Sequence, residues 1–175
     1  MKSCPYGTHR VIAPIGALPQ SADKIDNTMV CYENELLIDV ETLNIDSASF
    51  TQIKTVCNHD EEKMKTMILD IVQQRGKMQN PVTGSGGMLL GTIRQIGSAL
   101  KTDLKVGDSI ATLVSLSLTP LKINNIKRLH MTKDQVDIDG QAILFETGIC
   151  AKIPADLPKD LVLSALDVAG APAQV

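Results

Sequence analysis

The apolar positions of the chain fall into several different periods, and each period predicts a different element. Up to about residue 34 none repeats at a helical spacing. Pro5, Pro14, Pro19, Gly7 and Gly16 break that stretch into short extended pieces and turns, so no helix is predicted there. Leu36, Leu37, Ile38, Val40, Leu43 and Ile45 then form a largely apolar run interrupted by Asp39, Glu41 and Thr42. That run predicts a strand packed mainly on one face, ending in the polar turn Asp46-Ser47-Ala48-Ser49. One segment reads as helix. Met64, Met67, Ile68, Ile71 and Val72 recur on one helical face, with Asp60 to cap it, Glu61 and Glu62 at its positive end and Gly76 to stop it. The methionines of that face read as core contact, since Met fills irregular gaps. Short strands follow over 88–96, 109–118, 127–130 and 141–152, separated by Gly and Asp turns. A short helix over 157–168 tolerates Pro158 in its first turn and has Gly170 and Pro172 beyond it. Strands separated by turns, with one inserted helix, predict a mainly-β barrel or sandwich in place of alternating βαβ units.

Composition narrows the class. With 43% hydrophobic and 21% charged residues, and no run of about 18 uncharged apolar residues, the chain reads as a soluble globular domain with no membrane span. No basic-then-apolar leader opens it, which points to the cytoplasm. The net charge is −3 and no basic stripe is present, so a nucleic-acid partner is not expected. Aromatics make up 2% with no Trp, so the core must be aliphatic and base-stacking platforms are improbable. Cys4, Cys31, Cys57 and Cys150 form no CxxC pair and read as free thiols.

Candidate chemistry is concentrated in two polar stretches. Asp46, Ser47 and Ser49 follow one strand, and Thr83 and Ser85 precede another; such groups at strand ends serve either a functional site or ordinary turn chemistry. The dense glycines Gly84, Gly86 and Gly87 let backbone approach a ligand, yet strand follows them where a phosphate cradle needs a helix. Cys57 and His59 beside Asp60 offer too few donors for zinc and read as a helix-entry loop. His9 and His130 stand isolated, as proton shuttles or structural groups.

These residues carry a resemblance. Gly86-Gly87-Met88-Leu89-Leu90-Gly91, then Gly97 and Lys105-Val106-Gly107-Asp108, resemble the medium-chain dehydrogenase segment that runs Gly-His-Glu, two residues, Gly, then Gly, then Val-Gly-Asp; the His and Glu are gone. Val40 to Phe50 resembles that family's strand and Gly-Ile-Cys loop, with Asp46 where a zinc-binding Cys would stand. Ala151-Lys152-Ile153-Pro154 with Asp156 and Leu157 resembles the entry to its linking helix. The runs Thr42 to Phe50 and Asn80 to Met88 are similar, more specifically, to the L-erythro-3,5-diaminohexanoate dehydrogenase family.

The resemblance implies a partly open, GroES-like (chaperonin-10-like) β-barrel over residues 1–155, with one long inserted helix and short terminal helices. Residues 156–175 would be a linking helix towards a Rossmann domain that holds most of an NAD and lies outside this chain, which alone would be inactive. The implied activity is oxidative deamination of the small diamino acid 3,5-diaminohexanoate to 5-amino-3-oxohexanoate in lysine fermentation, by a homo-oligomeric enzyme. In that reading Asp46, Ser47 and Ser85 are catalytic, and Ser49, Thr83, Glu146 and Asp167 bind substrate. Gly86, Gly87 and Pro172 face the cofactor. The three zinc-ligand positions hold Asp46, Gly87 and Val168, and Ala48 stands where a relaying hydroxyl would be, so no zinc is expected. The substrate's amines are mostly cationic in water, so a buried carboxylate suits them as an anchor, Asp46 first. The alternatives are a zinc-free quinone or enoyl reductase domain and a non-enzymatic chaperonin-10-like adaptor.

Overall fold

A computed structural model describes residues 3–154. The opening stretch forms a 3-10 turn at Thr8–Arg10 and a two-stranded pair, β1 (Val11–Ala13) with β2 (Lys24–Ile25); the short pieces are as expected, the 3-10 turn is not. A six-stranded antiparallel sheet follows. It comprises β3 (Glu35–Ile45), β4 (Gly87–Ile96), β5 (Ser109–Thr112), β6 (Leu121–His130), β7 (Gln135–Phe145) and β8 (Cys150–Lys152), in the order β6-β7-β3-β4-β5-β8. The mainly-β class is therefore observed. Its edge strands β6 and β8 do not pair, so the sheet stays open and no closed barrel forms among the described residues.

Several boundaries differ from the sequence reading. The strand expected over 109–118 stops at Thr112, where Ser115 Oγ begins to bind the amide and hydroxyl of Ser117 and turns the chain. The short piece at 127–130 is the end of a ten-residue strand. The stretch 141–152 is two strands broken at Glu146–Ile149, where the Gly148 amide bonds Phe145 O. The helix expected over 157–168, and with it Asp167, Val168 and Pro172, lies outside the described residues.

The principal correction is a second helix. Residues 46–49 are not a free polar turn but the start of α1 (Ser47–Val56), capped by Asp46, whose side chain accepts from the Ala48 amide. Phe50, Ile53 and Cys57, buried to between 0 and 6% exposure, share one side of it. The expected helix is α2 (Glu61–Arg75), with Asp60 as its cap and Gly76 as its left-handed stop. Met64, Ile68, Ile71 and Val72 enter the core and Met67 packs at its margin, so the methionine face is core contact as read. No helix among the described residues is long and apolar enough to cross a membrane.

Strand β3 lies in the middle, paired with β4 on one side and β7 on the other, and is buried on both faces along its first half, where one exposed face had been expected. Leu36, Ile38 and Val40 join the main cluster with both helices, while Leu37 packs opposite with Ile143 and Phe145. A bulge between Val40 and Thr42 makes Glu41 an extra residue against β4. The alternation shifts by one there, and Leu43 and Ile45 regain the side already used by Ile38 and Val40.

At the start of β3 a charged pair closes the fold. Arg10 and Glu35 are each 1% exposed and meet as a fork, Nε to Oε1 at 2.8 Å and Nη2 to Oε2 at 2.7 Å. Arg10 also donates to the Thr28 and Val30 carbonyls and stacks on Tyr32. Burial alone would raise the Glu35 carboxyl; hydrogen bonds from Arg10 and the Tyr32 amide, with the Arg10 charge and His9, outweigh it and hold the pKa below the usual 4.5. Glu35→Gln is expected to cost about 3–5 kcal/mol in urea unfolding at neutral pH, because it removes the forked carboxylate and leaves the buried guanidinium only the longer charged contact with Asp26 at 3.6 Å. The carboxyl's folded pKa is lowered, so the pair's contribution is intact above pH 4.5 and is lost as pH falls through the folded value. Wild type should lose this margin in acid and Glu35→Gln should not.

Lys77 is the other buried charge. It is 0% exposed and donates to the Pro19 and Gln20 carbonyls. Burial, helped by the Arg75 charge and opposed by Asp23, lowers its pKa from 10.5 to about 8. Below pH 8 both folded and unfolded chains carry its proton. Between about 8 and 10.5 only the unfolded chain keeps it, so stability rises with pH across that window. Urea unfolding from pH 7.5 to 10.5 should show that rise in wild type, and Lys77→Met should lack it while being more stable at pH 7.5.

Candidate functional site

Two elements meet at the far end of β3. One is the N-terminus of α1, brought there by β3 itself; the other is the loop 77–86 that leads from α2 into β4. The Asp46 amide bonds Gly86 O at 3.2 Å, which ties its backbone to the loop, and Asp46 Oδ1 accepts the Ala48 amide at 3.0 Å, which holds its carboxylate on α1.

The loop is folded by Asn80, itself 0% exposed. Its amide donates to Ser85 O at 3.0 Å, its carbonyl accepts Gly84 N at 2.8 Å, and its Oδ1 accepts Val82 N at 2.8 Å. Its Nδ2 donates to Gln52 Oε1 on α1 at 2.8 Å. These bonds bring Thr83 and Ser85 onto α1. Ser49 Oγ then lies 2.6 Å from Thr83 Oγ1 and 2.7 Å from Ser85 Oγ, and Ser85 Oγ donates to Asp46 Oδ1 at 3.0 Å. Ser49 is fully buried, Asp46 and Ser85 are partly exposed, and Thr83 is exposed.

Four of the residues singled out from sequence, Asp46, Ser49, Thr83 and Ser85, thus form one hydrogen-bonded cluster although up to 39 positions separate them. Ser47 is one residue away but turns aside, its Oγ donating to Asp134 Oδ2 at 2.7 Å in the β6–β7 hairpin. Glu146 is not in the cluster. It follows Phe145, which pairs with Glu35 at the opposite end of β3, roughly 33 Å away at about 3.3 Å per strand residue. There it is exposed and accepts from Asn34 Nδ2 at 2.8 Å. Asn80 and Gln52 were missed by sequence reasoning, which looked for reactive groups; the signal available was Asn80 two residues before an exposed valine in a Pro-containing turn, the pattern of a side chain that binds its own loop.

Gly86 and Gly87 are needed by packed backbone. A Cβ on Gly87, where φ is +117°, would stand 2.0 Å from Asn44 O, and one on Gly86 would stand 2.5 Å from Ser117 N. The loop opens a strand, and α1, which does follow a strand, has its first turn occupied by the Asp46 carboxylate. A carboxylate there repels phosphate, so the N-terminus of α1 is not set up as a phosphate cradle. Among the described residues no three metal-donor side chains stand together.

The cluster can receive a cation. Oδ1 of Asp46 is held by Ala48 and Ser85, whereas Oδ2 accepts no hydrogen bond from a described residue. A partly exposed carboxylate with one oxygen oriented and the other without a donor among the described residues matches an ammonium donor.

Known proteins give this geometry a family. The chain is 65% identical over 99% of its length to "L-erythro-3,5-diaminohexanoate dehydrogenase" of Fusobacterium nucleatum subsp. nucleatum, and 64% identical over 99% to the protein of that name from Acetoanaerobium sticklandii. It spans about half of each, 51%. A solved structure titled "Crystal structure of CurK enoyl reductase" aligns with 77% of the chain and 31% of its own, at 12% identity and a TM-score of 0.36. The model of the L-erythro-3,5-diaminohexanoate dehydrogenase N-terminal domain matches residues 9–154, and the chain belongs to that family.

Proposed function

We propose that the chain is the substrate-binding half of a cytoplasmic, NAD-dependent dehydrogenase that deaminates 3,5-diaminohexanoate to 5-amino-3-oxohexanoate in lysine fermentation. The observation that carries this reading is the partly exposed Asp46 carboxylate, whose Oδ1 is tied to Ala48 and Ser85 while Oδ2 accepts no hydrogen bond from a described residue. The names of the two relatives support the substrate. NAD, held by a part of the protein outside residues 3–154, would accept the hydride when bound.

This chain's residues supply position and proton handling. Asp46 pairs with the 3-ammonium through Oδ2, holds the carbon that bears it in place, and takes up the nitrogen's proton, without which that carbon gives up no hydride. Ser85 keeps the carboxylate oriented through Oδ1. Zinc has no part in this reading, because the matching positions Asp46 and Gly87 offer one donor between them and a catalytic zinc needs about three.

Asp46→Asn keeps the shape and the helix cap but removes the charge. In the full-length protein, NADH formation with 3,5-diaminohexanoate should fall by about 10²-fold or more in kcat/KM, and wild-type activity should survive chelator treatment. Unchanged kinetics in Asp46→Asn would overturn the anchor, and loss of activity on chelation, restored by zinc, would overturn the metal-free reading.

A further inference from the structure

Ser49 cannot do what its position in the sequence suggested. It is 0% exposed, and its hydroxyl is committed to Thr83 and Ser85, so no substrate reaches it. Its place in the cluster is between an exposed hydroxyl and a carboxylate.

The donors can be ordered by counting protons. A carboxylate only accepts, so Ser85 donates to Asp46 Oδ1. Having spent its one proton, Ser85 accepts from Ser49 at 2.7 Å, and Ser49 in turn accepts from Thr83 at 2.6 Å. Thr83 is exposed on the loop. Thr83 Oγ1 also lies 3.1 Å from Ser85 Oγ, so the three hydroxyls form a closed triangle that joins solvent to the carboxylate on its Oδ1 side, with the shorter contacts running through Ser49.

We propose that Ser85, Ser49 and Thr83 are a proton relay between Asp46 and solvent; the inference rests on the amine-dehydrogenase reading above. Converting an ammonium-bearing carbon and water to a ketone and ammonium ion, with a hydride passing to an oxidised nicotinamide, releases one proton per turnover. The substrate ammonium gives its proton to Asp46 Oδ2, breaking an N–H bond and forming O–H. The neutral carboxyl turns about Cβ–Cγ, so that the protonated oxygen takes the place beside Ser85 and the Ala48 amide and presents its proton to Ser85. With no charge left on Asp46 to hold the inward order, the three hydroxyls turn over to donate outward; each then receives one proton and passes one on, Ser85 to Ser49 to Thr83 to water, and the carboxylate is regenerated. The regenerated carboxylate takes the two protons of the attacking water in turn and returns each to the nitrogen, the first making it a leaving group and the second, from the carbinol hydroxyl, letting it depart as ammonium. Substrate seated on Oδ2 blocks direct release on that side, so the proton leaves through the hydroxyls on the other.

The test uses Thr83→Val, which removes an exposed hydroxyl at nearly constant shape, with Thr83→Ser as its conservative partner and Ser49→Ala, which leaves only the longer direct contact between Thr83 and Ser85. In the full-length protein Thr83→Val should lower kcat by about 10²-fold with KM little changed, and the solvent deuterium isotope effect on kcat should rise; Ser49→Ala should lower kcat less, and Thr83→Ser should stay near wild type in both. Thr83→Val matching wild type in kcat and isotope effect overturns the relay, even where Asp46→Asn is crippled and the anchor stands. Asp46→Asn behaving as wild type overturns both. Should Ser49→Ala fail to fold, the Thr83 pair decides alone.

Discussion

The burial of β3 on both of its faces is the constraint from which the structure follows. With helices on one side and the Leu37 cluster on the other, the strand confines its polar residues to the middle, where Asp39 pairs with Arg94 at 3.3 Å and Thr42 bonds Asp137, and to its two ends. One end is closed by the Arg10–Glu35 fork, which converts an otherwise intolerable pair of buried charges into the tie that holds the N-terminal segment to the sheet. The other end runs out of the core into Asp46, which is at once the last residue before α1, its cap and the open carboxylate.

The cluster at that end owes its shape to parts that do no chemistry. Asn80 folds the loop from within, Gln52 ties it to α1, and two bare glycines let the loop and β4 lie against neighbouring backbone. Small hydroxyl side chains fit there because each can be both donor and acceptor, so a buried member such as Ser49 is satisfied in either direction of the relay.

Much of this was legible in the sequence, for reasons particular residues make clear. α2 announced itself by Asp60, Gly76 and a single apolar face, three local signals that agree. α1 did not, although Asp46, Phe50 and Ile53 stand at cap and core spacing, because Thr51, Thr55 and Val56 are β-branched and the opening Ser-Ala-Ser reads equally as a turn. Asp46, Ser49, Thr83 and Ser85 were named together from their chemistry, but the pattern could not say that Ser47 turns to Asp134 or that Glu146 lies at the opposite end of the strand. Those facts depend on long-range register, which local sequence does not encode.

The bulge at Glu41 has a bearing on how this family can vary. Because one extra residue sets the phase of everything that follows it in β3, the chain is effectively two strands of opposite parity spliced at that point. Substitutions on either side can accumulate independently, provided each respects its own inside and outside. A single-residue insertion or deletion near the splice would turn Leu43 and Ile45 to the wrong side and swing the carboxylate out of its cluster, so drift in length should be confined to the outlying turns while this stretch keeps its count.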